Sequence, residues 1–116
     1  MEKVIRRFHN TEAIFYSTAR EVQASMPPDS ALALPHFFGC TLFSKANKAS
    51  TFMALEFLED SMVRHIHQNI DRKQLGQVLK ALAKIQATAV TTKLGSIPEL
   101  HLNPFTGFYT KMMNPE

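Results

Sequence analysis

The sequence has few of the residues on which covalently stabilised scaffolds depend. Cys40 is the only cysteine among 116 residues, and there is no tryptophan. One cysteine excludes an intramolecular disulfide, and its place in an apolar run is typical of a small packed side chain. A reducing compartment suits such a chain, so we expect it to be cytoplasmic.

Glycine is also scarce, which excludes the common phosphate-binding loops. The four glycines lie at positions 39, 76, 95 and 107 and form no cluster. The sequence therefore contains neither Gly-x-x-x-x-Gly-Lys nor Gly-x-Gly-x-x-Gly, and it has no Gly-x-Ser-x-Gly nucleophile motif. No catalytic residue can be assigned within the 116 residues.

An excess of charge of one sign is missing as well. Thirteen basic residues face ten acidic ones, for a net charge of +3. The basic pairs at 6–7 and 72–73 are not interleaved with aromatic residues, so we expect no nucleic-acid partner. No apolar run approaches the roughly 20 residues that span a bilayer, and the charged start has no signal-peptide core, so we expect no membrane partner.

Five histidines raise the question of a metal site. His65 and His67 are two residues apart and would share one face of a strand. Two ligands do not make a site, because zinc centres need three or four. We therefore predict no metal ligands in this chain.

Apolar residues at three- and four-residue intervals predict two helices, over residues 3–23 and 71–91. Glu12 falls on the apolar stripe of the first helix, where it either needs a buried partner or lies at the helix edge and reaches water. Asp71 and Gln74 form the pattern of a capping box at the start of the second helix. The apolar stripe of that helix should pack and offset the cost of Gly76.

Two β-prone runs, over residues 36–43 and 51–58, predict an antiparallel hairpin with a polar link. The second run is apolar on both faces except at Glu56, so both faces should be covered. Residues 59–70 predict a connector. The last stretch, residues 94–116, is broken by prolines but is too apolar for a solvated tail.

Three stretches resemble one known family. Residues 7–16, Arg-Phe-His-Asn-Thr-Glu-Ala-Ile-Phe-Tyr, resemble a helix opening in the nematode choline/ecdysteroid-kinase-like (CHK-like) proteins. Residues 53–60, Met-Ala-Leu-Glu-Phe-Leu-Glu-Asp, followed by Val-Arg-His, resemble their hinge strand. Residues 77–87 resemble the helix after the hinge. Order and spacing agree over residues 4–115, and the family is similar to the aminoglycoside phosphotransferases, which have a protein-kinase-like fold.

The resemblance implies roles for four residues. Glu12 would pair with the strand lysine that holds the ATP phosphates. Leu55 would lie at the gate of the adenine pocket, and the backbones of Glu56 and Leu58 would offer adenine a carbonyl and an amide. Residues 1–60 would be the N-lobe remnant and residues 61–116 the start of an incomplete C-lobe.

The family's other motifs have no counterpart here. The sequence lacks the glycine-containing loop, the lysine strand, the His-x-Asp catalytic loop with its Asn, and the metal-binding Asp. It also has Gln86 where related folds often have a histidine. The fold expected is α+β, a partial kinase-like fold. The function expected is that of a truncated part of an ATP- and magnesium-dependent small-molecule O-phosphotransferase, inactive alone and without tight cofactor binding.

A protein-binding module is the alternative. An unpaired hairpin edge or the apolar C-terminal segment would then dock on a protein partner or on a second copy. Glu12 distinguishes the two possibilities. A kinase remnant gains nothing from Glu12, whereas an adapted module would have given it a new partner such as Arg64 or Lys84.

Overall fold

The computed structural model describes residues 2–65 and 67–98. Helix α1 (Glu2–Ala24) is followed by strands β1 (Phe37–Cys40) and β2 (Met53–Leu55) and then by helix α2 (Arg72–Thr91). Short 3-10 turns lie at Pro28–Ser30 and Lys93–Ser96. The predicted α+β class, with two helices and one antiparallel hairpin, is confirmed. Neither helix in these ranges has the length and apolar character needed to cross a membrane.

The start of α2 is fixed by the predicted capping box. The Gln74 amide donates to the Asp71 carboxylate over 2.7 Å, and the Asp71 amide donates to the Gln74 side-chain oxygen over 3.2 Å. Both bonds satisfy backbone donors that have no partner inside the helix. At the other end Thr92 has extended geometry, and its hydroxyl accepts from the Leu94 amide.

The hairpin strands are shorter than the sequence predicts. Phe37 pairs with Leu55 and Cys40 with Met53, and the register is irregular between Phe37 and Gly39. Beyond Cys40, the Thr41 amide still donates to the Phe52 carbonyl, but the Phe52 amide donates to the Thr41 hydroxyl. The Thr41 hydroxyl thus replaces a backbone carbonyl as the acceptor, and the regular strand ends early.

The core lies between α1 and the turn that follows α2. Its buried members are Ala19, Val22, Leu32, Leu94 and Ile97. Leu94 is the largest side chain that is fully enclosed, at 1% exposure. Half-buried apolar side chains pack around this cluster: Ile14, Phe15, Met26, Leu34 and Ile85.

Two apolar surfaces are more open than the sequence predicts. On α2 only the last turns reach the core, and Leu75, Val78, Leu79 and Leu82 are each about half exposed. Next to β2, Phe52 and Phe57 are also exposed, so the second strand is not covered on both faces. The predicted apolar C-terminal segment beyond residue 98 lies outside the described residues.

Gly95 allows the chain to turn closely past the end of α2. A Cβ atom added there would lie 2.0 Å from the Ala89 carbonyl oxygen. We predict that Gly95→Ala lowers the free energy of unfolding by about 1–3 kcal/mol, because a backbone group must move.

Gly76→Ala is the matched control. No side chain or backbone from outside the helix lies within 4 Å of the added Cβ at this position, so this change should raise the free energy of unfolding by about 1 kcal/mol. Urea unfolding of both variants measures the contrast. Equal effects would show that the close approach at Gly95 is not a constraint.

Candidate functional site

The candidate site is the junction where β2 ends and the connector begins. The Glu56 amide donates to the His36 carbonyl oxygen over 2.8 Å, which extends the pairing by one residue beyond Leu55. The His36 amide does not return this bond to the Glu56 carbonyl. It donates instead to the Glu56 carboxylate, over 2.9 Å.

This exchange leaves the Glu56 carbonyl outside the ladder. In an ordinary antiparallel pair the two residues would exchange both N–H to O=C bonds. Here the carboxylate replaces the carbonyl as acceptor, and no group among the described residues donates to the Glu56 carbonyl oxygen. No sequence pattern indicates this contact, because residues 36 and 56 become neighbours only through the hairpin register.

Two residues further on, Leu58 presents its amide. Its carbonyl accepts from the Ser61 hydroxyl over 2.8 Å, which closes a short turn. Within the described ranges no acceptor faces the Leu58 N–H. The Glu56 carbonyl and Leu58 amide therefore form an acceptor and a donor two residues apart on one exposed segment.

The same segment lines a pocket of about 590 Å³ formed by residues 56–61. Glu56, Glu59 and Asp60 give this pocket three carboxylates, and none of its lining residues is basic. Leu58 is 52% exposed and Phe57 is 84% exposed. The site thus combines apolar side chains with a negative rim.

Leu55 lies directly before this junction, and neither Leu55 nor Glu12 lines its pocket. Leu55 ends β2 and is half-buried, opposite Phe37 in the register. The Phe37 ring stacks on Tyr16 with centroids 6.2 Å apart. Glu12 lies one helical turn before Tyr16 on the same helix.

Glu12 itself is exposed to solvent on α1. Of the two possibilities that its position left open, the structure therefore supports the helix edge. No ion pair involves Glu12 in the described part of the chain. Lys84, one suggested new partner, lies 3.4 Å from the carbonyl oxygens of Asp29 and Ala31 instead.

The electrostatic effect of Glu12 is seen at Tyr16. Burial raises the pKa of the Tyr16 phenol above its usual 10.0, and the negative charge of Glu12 raises it further. Both effects disfavour the phenolate, so Tyr16 stays neutral to a higher pH than an exposed tyrosine.

The family model described as "Uncharacterized oxidoreductase dhs-27" (DUF1679) matches residues 1–116. The chain belongs to the DUF1679 family. No curated protein and no solved structure gives a significant match. In this DUF1679 protein the family match covers α1, the hairpin and α2 together, so the candidate site is part of the shared region.

The Tyr16 environment leads to a prediction for this DUF1679 protein. Glu12→Gln should lower the Tyr16 pKa, because one of the two causes of its rise is removed. Phenolate absorbance during alkaline titration measures the change, with Tyr109→Phe in every sample so that one phenol titrates. Glu21→Gln is the control, since Glu21 pairs with Lys93 and is not a cause of the Tyr16 shift.

The same group sets the sign of an alkaline stability change. Because the folded pKa is above the unfolded value, the contribution of Tyr16 is present below pH 10 and is lost as pH rises through the folded pKa. Tyr16→Phe should remove the part of the alkaline loss of stability that comes from ionisation of this phenol. An unchanged alkaline profile, or an unchanged Tyr16 pKa in the Glu12 variant, would contradict the assignment.

Proposed function

We propose that this chain forms the adenine-facing hinge of an ATP-dependent small-molecule O-phosphotransferase similar to the CHK-like proteins. The observation that carries the proposal is the pair formed by the Glu56 carbonyl and the Leu58 amide. One edge of adenine presents an amino donor beside a ring-nitrogen acceptor, which this pair can satisfy. The resemblance of residues 53–60 to a hinge strand supports the same assignment.

Leu55 and Glu12 would complete the nucleotide side of the site. Leu55 lies directly before the hydrogen-bonding pair and would bound the inner end of the adenine pocket. Glu12 is an exposed carboxylate, able to accept the ammonium group of a lysine from the phosphate-binding strand of a kinase-like lobe. The stacked rings of Tyr16 and Phe37 hold α1 against β1, the strand that pairs with β2.

The groups at this pocket suit the adenine ring of ATP better than they suit its triphosphate. Three carboxylates at the pocket would repel the phosphates, which in phosphotransferases are neutralised by a lysine and by magnesium. In the ranges that the structure describes, no group of three or more His, Cys, Asp or Glu side chains could hold a metal ion. Bound magnesium and ATP would supply the transferable phosphoryl group, and the chain's own contribution is the orientation of adenine.

This charge balance gives a sharp prediction. The chain alone should bind adenosine weakly but at least as tightly as ATP, because Glu56, Glu59 and Asp60 oppose the added phosphates. Amide resonances of residues 55–61 should shift saturably with adenosine. The purified chain should transfer no phosphate to hydroxylated small molecules.

Two proline variants locate the binding. Leu58→Pro removes the amide that would donate to adenine, and it should abolish the adenosine shifts. Phe57→Pro removes a neighbouring amide with no proposed role and should retain them, provided that both variants remain folded by circular dichroism. Adenosine binding that survives in Leu58→Pro, or ATP binding that is much tighter than adenosine binding, would refute the hinge assignment.

The transcript provides an independent test. If the reading frame extends on both sides of the 116 codons, we expect a glycine-containing loop with a lysine strand before them and an His-x-Asp loop after them. If the transcript adds neither, phosphate transfer is excluded and a binding function remains.

Exposed aromatic side chains favour a second candidate, a protein-binding module. Phe38 and Phe52 are more than half exposed beside a hairpin of only two strands. The outer edge of β2 can accept another strand, including that of a second copy, whereas on β1 the Phe37 carbonyl already accepts from the Arg20 guanidinium. Sedimentation over a range of concentrations should then show reversible association that Phe52→Ser weakens, while a monomer at all concentrations would exclude self-association.

A further inference from the structure

A second pocket lies at the opposite end of the hairpin from the hinge. It encloses about 460 Å³ between the first turns of α1 and the connection from β1 to β2. Four basic side chains line it, and none of the lining residues is acidic: Arg6, Arg7, Lys45 and Lys48. Its lining includes no residue of the hinge segment, so it is a separate site.

A network of hydrogen bonds holds α1 against the connection. The Asn10 side-chain amide donates to the Phe43 carbonyl over 2.9 Å, and its oxygen accepts from the Phe43 amide over 2.9 Å. His9 contacts the Thr41 carbonyl oxygen through Nε2, also at 2.9 Å. These three bonds hold the first residues of the connection against α1.

The connection is organised around a single side chain. The Asn47 amide group donates to the Ser50 carbonyl over 2.8 Å, and its oxygen accepts from the Ser50 amide over 3.1 Å. The Ser44 amide donates to the Asn47 carbonyl over 2.8 Å. The loop is therefore shaped without using Lys45 or Lys48, whose ammonium groups stay available to a ligand.

The cations are only partly neutralised by the protein. Arg6 is paired with Glu2, one turn earlier on α1. Among the described residues no carboxylate forms an ion pair with Arg7, Lys45 or Lys48. Like charges around one concave surface raise the local positive potential and attract an anion.

An aromatic wall adds a second requirement for the ligand. The Phe43 ring lines the pocket, with the Arg6 guanidinium 5.4 Å from its centroid and the His9 ring edge-on at 5.3 Å. A ring fixed in this way offers a flat apolar surface beside the cations. A bare inorganic anion would leave this surface unused.

We propose that this pocket binds a small phosphomonoester carried on an aromatic body. The phosphate would lie among Arg7, Lys45 and Lys48, whose three positive charges attract its two negative charges. The aromatic body would pack on Phe43 and on the stem of Arg6. The proposal is independent of the hinge assignment, because the two pockets have no lining residue in common.

Phenyl phosphate is the probe for this site. Titrated into the full chain at low ionic strength, it should shift the amide resonances of residues 43–48 saturably in the millimolar range, and added salt should weaken the binding. Lys45→Gln with Lys48→Gln should weaken it about tenfold, since each exposed charge contributes a few-fold. Inorganic phosphate and benzyl alcohol, each with half of the ligand's chemistry, should bind more weakly.

Lys73→Gln with Lys80→Gln is the matched control. It removes the same charge from α2, whose residues do not line the pocket, and should leave the affinity unchanged. The proposal is overturned by unsaturable binding of phenyl phosphate, by equal loss in both double variants, or by benzyl alcohol binding as tightly as phenyl phosphate. A phosphotyrosine peptide that bound far more tightly would replace the small-molecule ligand with a protein partner.

Discussion

The paired hydrogen bonds between the Asn10 side chain and the Phe43 backbone join helix α1 to the β-hairpin. A hairpin of two short strands is marginal in water by itself and needs a surface on which to pack. Asn10 satisfies both the amide and the carbonyl of Phe43, so the end of β1 is held to α1 where the regular ladder has stopped. The register of the hairpin then carries this constraint to Glu56, at the far end.

On its other side, α1 packs against the turn that follows α2. Leu94 is almost completely enclosed, and it reaches the core because the chain turns immediately after α2. The Thr92 hydroxyl caps this turn, and the lack of a side chain at Gly95 lets it pass the Ala89 carbonyl. One helix thus supports the hairpin on one side and the end of α2 on the other.

Sequence periodicity and capping chemistry were sufficient to predict both helices, the Asp71–Gln74 box and the existence of the hairpin. They did not predict the strand lengths, because Thr41 and Glu56 replace backbone groups of the ladder with side-chain atoms. The packing predicted for the α2 stripe was wrong for its first turns, since periodicity shows an apolar face without showing what covers it. The hinge residues remain predictions from resemblance. The cationic pocket has no local pattern, because Arg7 and Lys45 are distant in sequence.

The open face of α2 has a consequence for how stability varies with temperature. Leu75, Val78, Leu79 and Leu82 are already about half hydrated in the folded chain. The heat-capacity increase on unfolding arises from newly hydrated apolar surface, at about 1.2–1.5 kcal/mol/K per hundred residues in ordinary domains. These four side chains add only about half of their apolar surface to that increase, so the stability curve is shallower than it would be if the stripe were fully packed.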